Sequence, residues 1–127
     1  MEVNLIKKTF VTILGAFFIF AGSYHFINPN FYLGLIPDYL PLPVAINYVV
    51  GILEIVLGIF VLIPKYRKVG GYGIILLLIL LIPSHVFFIQ IGSCVPDSLC
   101  VPNWLSWSRL IVIHPLLVYW AYRVAKN

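Results

Sequence analysis

Charge is what this chain has least of. Asp, Glu, Lys and Arg make up 9% of its 127 residues, and only 4 of these are acidic. A soluble domain of this length must cover itself with far more polar side chains than that. Cysteine is scarce too, at 2 residues, and the chain carries no recognisable flavin, haem or iron–sulfur site of its own. No phosphate loop, nucleophile elbow, HExxH helix or dinucleotide fingerprint occurs in it. Nothing therefore marks a hydrolase, transferase or kinase, and the chain reads as something other than an enzyme acting alone. Low-complexity tracts and long linkers are also missing, so residues 1–127 read as a single domain.

What the chain has in abundance is apolar length. Hydrophobic residues make up 62%, and the mean hydropathy is +1.06. Four apolar runs cover 9–27, 44–63, 71–91 and 105–124, each close to the ~20 residues a helix needs to cross ~30 Å of hydrocarbon. The breakers fall between them, at Asn28-Pro29-Asn30, from Pro37 to Pro43, from Pro64 to Lys68 and from Gly92 to Asn103. Aromatic residues gather near the run ends, as interfacial belts do. The expected fold is all-α, a polytopic membrane bundle of four helices.

The net charge of +4 does not point to nucleic acid, because the basic residues lie between apolar runs rather than along one face. Lys7, Lys8, Lys65, Arg67, Lys68, Arg123 and Lys126 share one side if both termini are cytoplasmic, and only Arg109 falls on the other. That asymmetry predicts an N-in, C-in protein of the cell (inner) membrane, in contact with membrane lipids. A competing reading takes Lys7-Lys8, the first apolar run and Ala21-Gly22-Ser23 as a cleaved signal peptide. Against it, the run continues through Tyr24-His25-Phe26-Ile27. A retained helix is the expectation.

The second run holds Glu54, the one acid inside a long apolar segment. A carboxyl there costs roughly 2.5–3.5 kcal/mol on insertion scales, so it must be paired, protonated or turned to a polar cavity. Asn47, Gly51, Glu54 and Gly58 are spaced by four, three and four, which sets them on one helical face. Glycines beside an ionisable group let a neighbouring helix come close. Gly15 and Gly22 in the first run repeat the seven-residue spacing of Gly51 and Gly58, which close helix packing explains.

With the N-in topology, His25, Glu54, His85, Arg109 and His114 all lie in the outer half of the membrane or at its midplane. Together with Asn47 they are the candidate lining of one outward-facing pocket. Arg109 is the expected ion-pair partner of Glu54, unless its guanidinium reaches outward to headgroups. Arg109 and His114 are five apart, ~140° around a regular helix, so both facing one site requires a departure from α geometry. Pro83 and Pro115 leave the carbonyls of Ile79 and Ile111 without their helical donors, and Ser84, His85 and His114 are adjacent donors. The histidines sit on separate helices without i, i+4 spacing, so metal binding is disfavoured. Cys94 and Cys100 flank Pro96-Asp97 on the oxidising side and predict a structural disulfide over an exchanging redox pair.

The order of motifs has a familiar form. Gly22-Ser-Tyr-His-Phe with Pro29, Leu40-Pro-Leu-Pro, Gly51-x-x-Glu54-x-x-x-Gly58 and a basic turn after Pro64 are followed by Pro83-Ser-His85 and Trp107-Ser-Arg109-Leu. This pattern resembles the DoxX-like family of small four-helix membrane proteins. The resemblance implies a bacterial membrane protein in which His25, Glu54, His85 and Arg109 form the polar core. It further implies a membrane component of a thiol- or quinone-linked redox system, with a redox partner; a quinone or another small apolar ligand is the candidate for the outer pocket, and the cofactor is left open. The alternative it leaves open is a non-enzymatic assembly factor or accessory subunit for another membrane protein, with oligomers allowed. Proton-coupled transport is disfavoured, because the inner half offers no ionisable relay. The Cys94–Cys100 loop is not part of the family pattern.

Overall fold

The computed structural model describes residues 2–127, with side chains from Asn4 onward. Helix α1 (Glu2–Ile27) is followed by a single turn, α2 (Pro29–Leu33), and by α3 (Pro43–Leu62). A 3₁₀ turn at Pro64–Tyr66 leads into α4 (Arg67–Leu80) and α5 (Ile82–Gln90). Then come α6 (Asn103–Ser108), a π-helical turn (Arg109–Ile113) and α7 (His114–Ala125). No strand forms among the described residues beyond one bridge between Cys94 and Cys100. Proline stands in the first turn of α2 and α3, where its missing N–H would have had no helical acceptor, and in the first turn of α5 and α7, where it interrupts a helix running on from the preceding element.

Among the described residues, three helices are long and apolar enough to cross a membrane: Asn4–Ile27, Pro43–Leu62 and Pro64–Gln90. The third is not one straight rod. Pro83 cannot continue the backbone ladder, and the chain turns at Leu81 between α4 and α5. The stretch expected as a fourth span, 105–124, is helical from Asn103 to Ala125 but is not among the three. Ser106, Ser108, Arg109 and His114 dilute its apolar character, and the π turn interrupts it.

The distribution of side chains inverts that of a soluble protein. Phe20, Ile52, Leu80 and Leu116 are 70%, 51%, 64% and 61% exposed, while His25, Asn47, Glu54 and His114 are buried. An apolar exterior around a polar interior is what a hydrocarbon solvent selects. The apolar core draws on Val11, Leu14 and Phe18 of α1, Val61 of α3, Ile74 and Leu78 of α4, and Ala121 and Val124 of α7.

Glycine sets the register between α1 and α3. A Cβ on Gly22 would meet the Gly51 carbonyl oxygen at 2.5 Å, and one on Gly51 would meet that of Gly22 at 3.0 Å. Seven residues away the relation repeats: Gly15 faces the Gly58 carbonyl and Gly58 that of Gly15, at 2.9 and 2.8 Å. The two matched spacings are therefore two crossing points of one antiparallel pair. Gly71 makes the same kind of approach to Ala121 and Ala125 of α7. These contacts fix which residues of α1, α3, α4 and α7 lie level with one another.

Cys94 and Cys100 are disulfide-bonded. Inside their loop the Val95 N–H donates to the Leu99 carbonyl at 2.8 Å, the Val95 side chain packs against Gly34, and the Ser98 hydroxyl donates to the Phe31 carbonyl at 2.9 Å. The loop thus ties the α5–α6 connection to α2, over the same end of the molecule as His25.

Candidate functional site

The buried residues of α3 are Asn47, Gly51, Glu54, Gly58 and Val61, the face that the four-three-four spacing marks out. Because the glycines draw α1 against this face, His25 lands beside both Asn47 and Glu54. Asn47 Nδ2 donates to the His25 carbonyl at 3.1 Å, which orients the amide and turns its oxygen toward the ring. His25 Nδ1 then donates to Asn47 Oδ1 at 2.7 Å, since an amide oxygen only accepts. With Nδ1 committed, Nε2 is the nitrogen left to face Glu54. It lies 3.6 Å from Oε2, too far for a hydrogen bond.

That geometry overturns one expectation. Among the described residues Glu54 pairs with His25, not with Arg109. Arg109 instead donates from Nη2 to His85 Nδ1 at 3.2 Å, and its guanidinium lies 5.7 Å from the centre of the Phe88 ring. The reason is register. The crossing of α1 and α3 fills the space at Glu54 with a ring from α1, while the turn at Leu81 places His85 within reach of Arg109.

The departure from α geometry that a shared site requires of Arg109 and His114 is present. Arg109 and His114 do share one site, because the helix between them is not α. The His114 N–H bonds to the Arg109 carbonyl, an i→i+5 bond, so residues five apart stand one turn apart. Pro115 has no N–H to draw the helix back to the Ile111 carbonyl. His114 Nε2 donates to the Leu78 carbonyl at 2.6 Å, near the break between α4 and α5, and its ring meets that of His85 edge-on at 4.9 Å. Ser84 does not serve its own helix but donates to the Leu35 carbonyl at 2.7 Å.

All six candidate residues, His25, Asn47, Glu54, His85, Arg109 and His114, line one cavity of about 680 Å³. That size suits a small organic ligand. Most of the wall is apolar, from Phe17 and Phe18 of α1, Val49, Val50 and Leu53 of α3, and Leu77, Leu80 and Leu81. The polar groups form two arrays, an acid-bearing one (Asn47, His25, Glu54) and an arginine-bearing one (Arg109, His85, His114). Glu54 Oε2 is buried and has no hydrogen-bond partner among the described residues. Native proteins rarely leave such an acceptor unserved. No grouping of three or more His, Cys, Asp or Glu side chains with metal-holding geometry occurs among the described residues.

Tyr32 is the site residue that sequence reasoning missed. Its ring stacks on His25 with centroids 3.6 Å apart and planes 13° from parallel. Burial, then the charge of Glu54 and that of Tyr24, push its phenol up to about 12. It lies on the five-residue turn α2, too short to carry a periodic signal. The carbonyl of Leu78 was equally invisible, because a backbone acceptor has no letter of its own.

No curated protein and no solved structure matches the chain. A match does come from the protein families, and it covers residues 14–125, the stretch that holds every residue of the cavity. By that match the chain belongs to the family described as a domain of unknown function, DUF8561.

Proposed function

We propose that this protein is a multi-pass membrane protein of four helical spans, both termini cytoplasmic, whose outer-half cavity binds a small apolar ligand bearing a ring oxygen or hydroxyl. The class that fits best is a quinone. On this reading the protein is a membrane component of a redox system and depends on a separate redox partner. A likeness to DoxX-like proteins is part of this proposal, since the family matched carries no functional description.

One observation carries the reading: Glu54 Oε2, buried with no hydrogen-bond partner among the described residues in the wall of a large, mostly apolar cavity, with His25 Nε2 held 3.6 Å away. A ligand hydroxyl placed here, such as that of a reduced quinone, donates to the Glu54 carboxylate or to the Nε2 lone pair, and a quinone carbonyl accepts from Nε2 when the ring carries a second proton. The apolar remainder of the cavity suits a hydrophobic ring or tail. The sidedness rests on the Lys and Arg count. Glycine faces free to dock foreign helices would favour the accessory-subunit alternative. Gly15, Gly22, Gly51, Gly58 and Gly71 are instead occupied by contacts within the chain.

The test is purification with native lipids followed by mass spectrometry of the organic extract. Quinone is expected at near-stoichiometric amounts in the natural protein and strongly depleted in Glu54→Leu. Repeated absence of quinone, with no redox partner co-purifying, overturns the proposal.

A further inference from the structure

A second cavity, about 440 Å³, lies between α1 and α7 at the end of the molecule opposite the cysteine loop. Its floor is aromatic. Trp120 donates its indole N–H to the Phe10 carbonyl at 3.2 Å, and the two rings meet edge-on with centroids 6.1 Å apart. Phe10 and Ile6 remain 53% and 55% exposed along it. Its rim is basic, formed by Lys7 from α1 and Arg123 from α7. Arg123 is held in place by donating Nη1 to the Tyr119 hydroxyl at 2.9 Å, which leaves its other N–H groups free to donate. No Asp or Glu side chain lines the groove among the described residues.

We propose that this groove binds one anionic phospholipid of the cytoplasmic leaflet. Lys7 and Arg123 hold the phosphate, and an acyl chain lies over Phe10 and Ile6 beside Trp120. Charge complementarity selects the headgroup, since two cationic side chains line the groove from separate helices and no Asp or Glu side chain joins them there among the described residues. The exposed apolar floor selects a lipid over a free phosphate ion, which has no use for it. An indole at headgroup depth is the usual membrane-interface placement. The inference rests on the membrane orientation proposed above but not on the ligand of the outer cavity.

The test uses the full chain in nanodiscs of phosphatidylglycerol and phosphatidylcholine at equal mole fraction, with the lipids retained after release counted by native mass spectrometry. The natural protein is expected to keep one phosphatidylglycerol in about tenfold or greater preference, the order that two basic groups near an anionic headgroup supply. K7Q/R123Q is expected to bring the two lipids to near parity. K65Q/K68Q, which removes the same charge from the same end but outside the groove, keeps the preference. No preference in the natural protein, or an equal loss in K65Q/K68Q, overturns the proposal. So does displacement of the lipid by excess inorganic phosphate, which would make the site one for the free ion. Should K7Q/R123Q not fold, quenching of Trp120 by brominated phosphatidylglycerol in W104F/W107F decides the matter. Quenching no stronger than by brominated phosphatidylcholine is the overturning result. Quinone is scored in an organic extract of each sample, so loss of one ligand with retention of the other separates the two proposals.

Discussion

Asn47 and His25 hold each other by two hydrogen bonds that run in opposite directions. The amide N–H₂ of Asn47 donates to the His25 backbone carbonyl, and the His25 ring N–H donates to the amide oxygen. Neither bond alone would settle the imidazole. Together they orient the amide, assign the ring proton to Nδ1 and leave Nε2 as the ring nitrogen that faces Glu54. His85 is oriented by a different device, since Arg109 can only donate, so His85 Nδ1 accepts and the ring is neutral.

Replacing Asn47 by Leu removes both bonds and strands two buried groups on His25. A loss of about 2–4 kcal/mol in stability is expected, from one to two kcal/mol for each orphaned group. The Nδ1–H signal of His25 in ¹⁵N NMR should also disappear or exchange. Asn47→Asp keeps the acceptor, so it should keep that signal while still losing the bond to the carbonyl. Retention of the signal in Asn47→Leu would show that something else holds the ring.

The glycine crossings predict a graded series. Gly22→Ala and Gly51→Ala each press a methyl group onto a carbonyl of the facing helix. Backbone cannot step aside as a side-chain tip can, so each should cost about 1–3 kcal/mol. Gly73→Ala meets the end of the flexible Leu57 side chain and should be nearly neutral. Thermal unfolding in one detergent ranks the three, and equal midpoints would refute the register described for α1 and α3.

Tyr32 predicts behaviour at high pH. Its phenol ionises near 12 in the folded protein against 10.0 when unfolded, so the folded state holds a proton that the unfolded state releases. The associated stability is fully present below pH 10 and is lost as pH rises from 10 to 12. One tyrosine in the ultraviolet titration at 295 nm should therefore titrate late, and Tyr32→Phe should remove that component. A late component that survives the substitution belongs to another tyrosine.

The π turn predicts tolerance to a deletion. Removing Val112 shortens the Arg109–His114 spacing to four, which an ordinary α-helix accommodates with both residues still on one face. That deletion should fold and keep its outer ligand. Removing Leu116, beyond the turn, rotates Ala121 and Val124 out of the core and should abolish folding. Ligand retention and thermal midpoint report both outcomes, and failure of the Val112 deletion would mean the π geometry is itself required.

Much was readable from residue order, because it depends on short-range regularities. Apolar length sets where helices run, proline and glycine set where they stop, and the four-three-four spacing of Asn47, Gly51, Glu54 and Gly58 marks the buried face of α3. Cys94 and Cys100 lie close enough in the chain for their pairing to be foreseen. The partner of Glu54 was not readable in this way. Its choice of His25 over Arg109 depends on how far α1 slides along α3, and that is decided by the glycine contacts of two helices at once. Nor was the shared face of Arg109 and His114, since a regular helix forbids it and only the turn over Pro115 permits it. Tyr32 and the Leu78 carbonyl join the site through proximity alone. A single helix encodes its own buried face by periodicity, but what stands opposite that face is settled only when the helices pack.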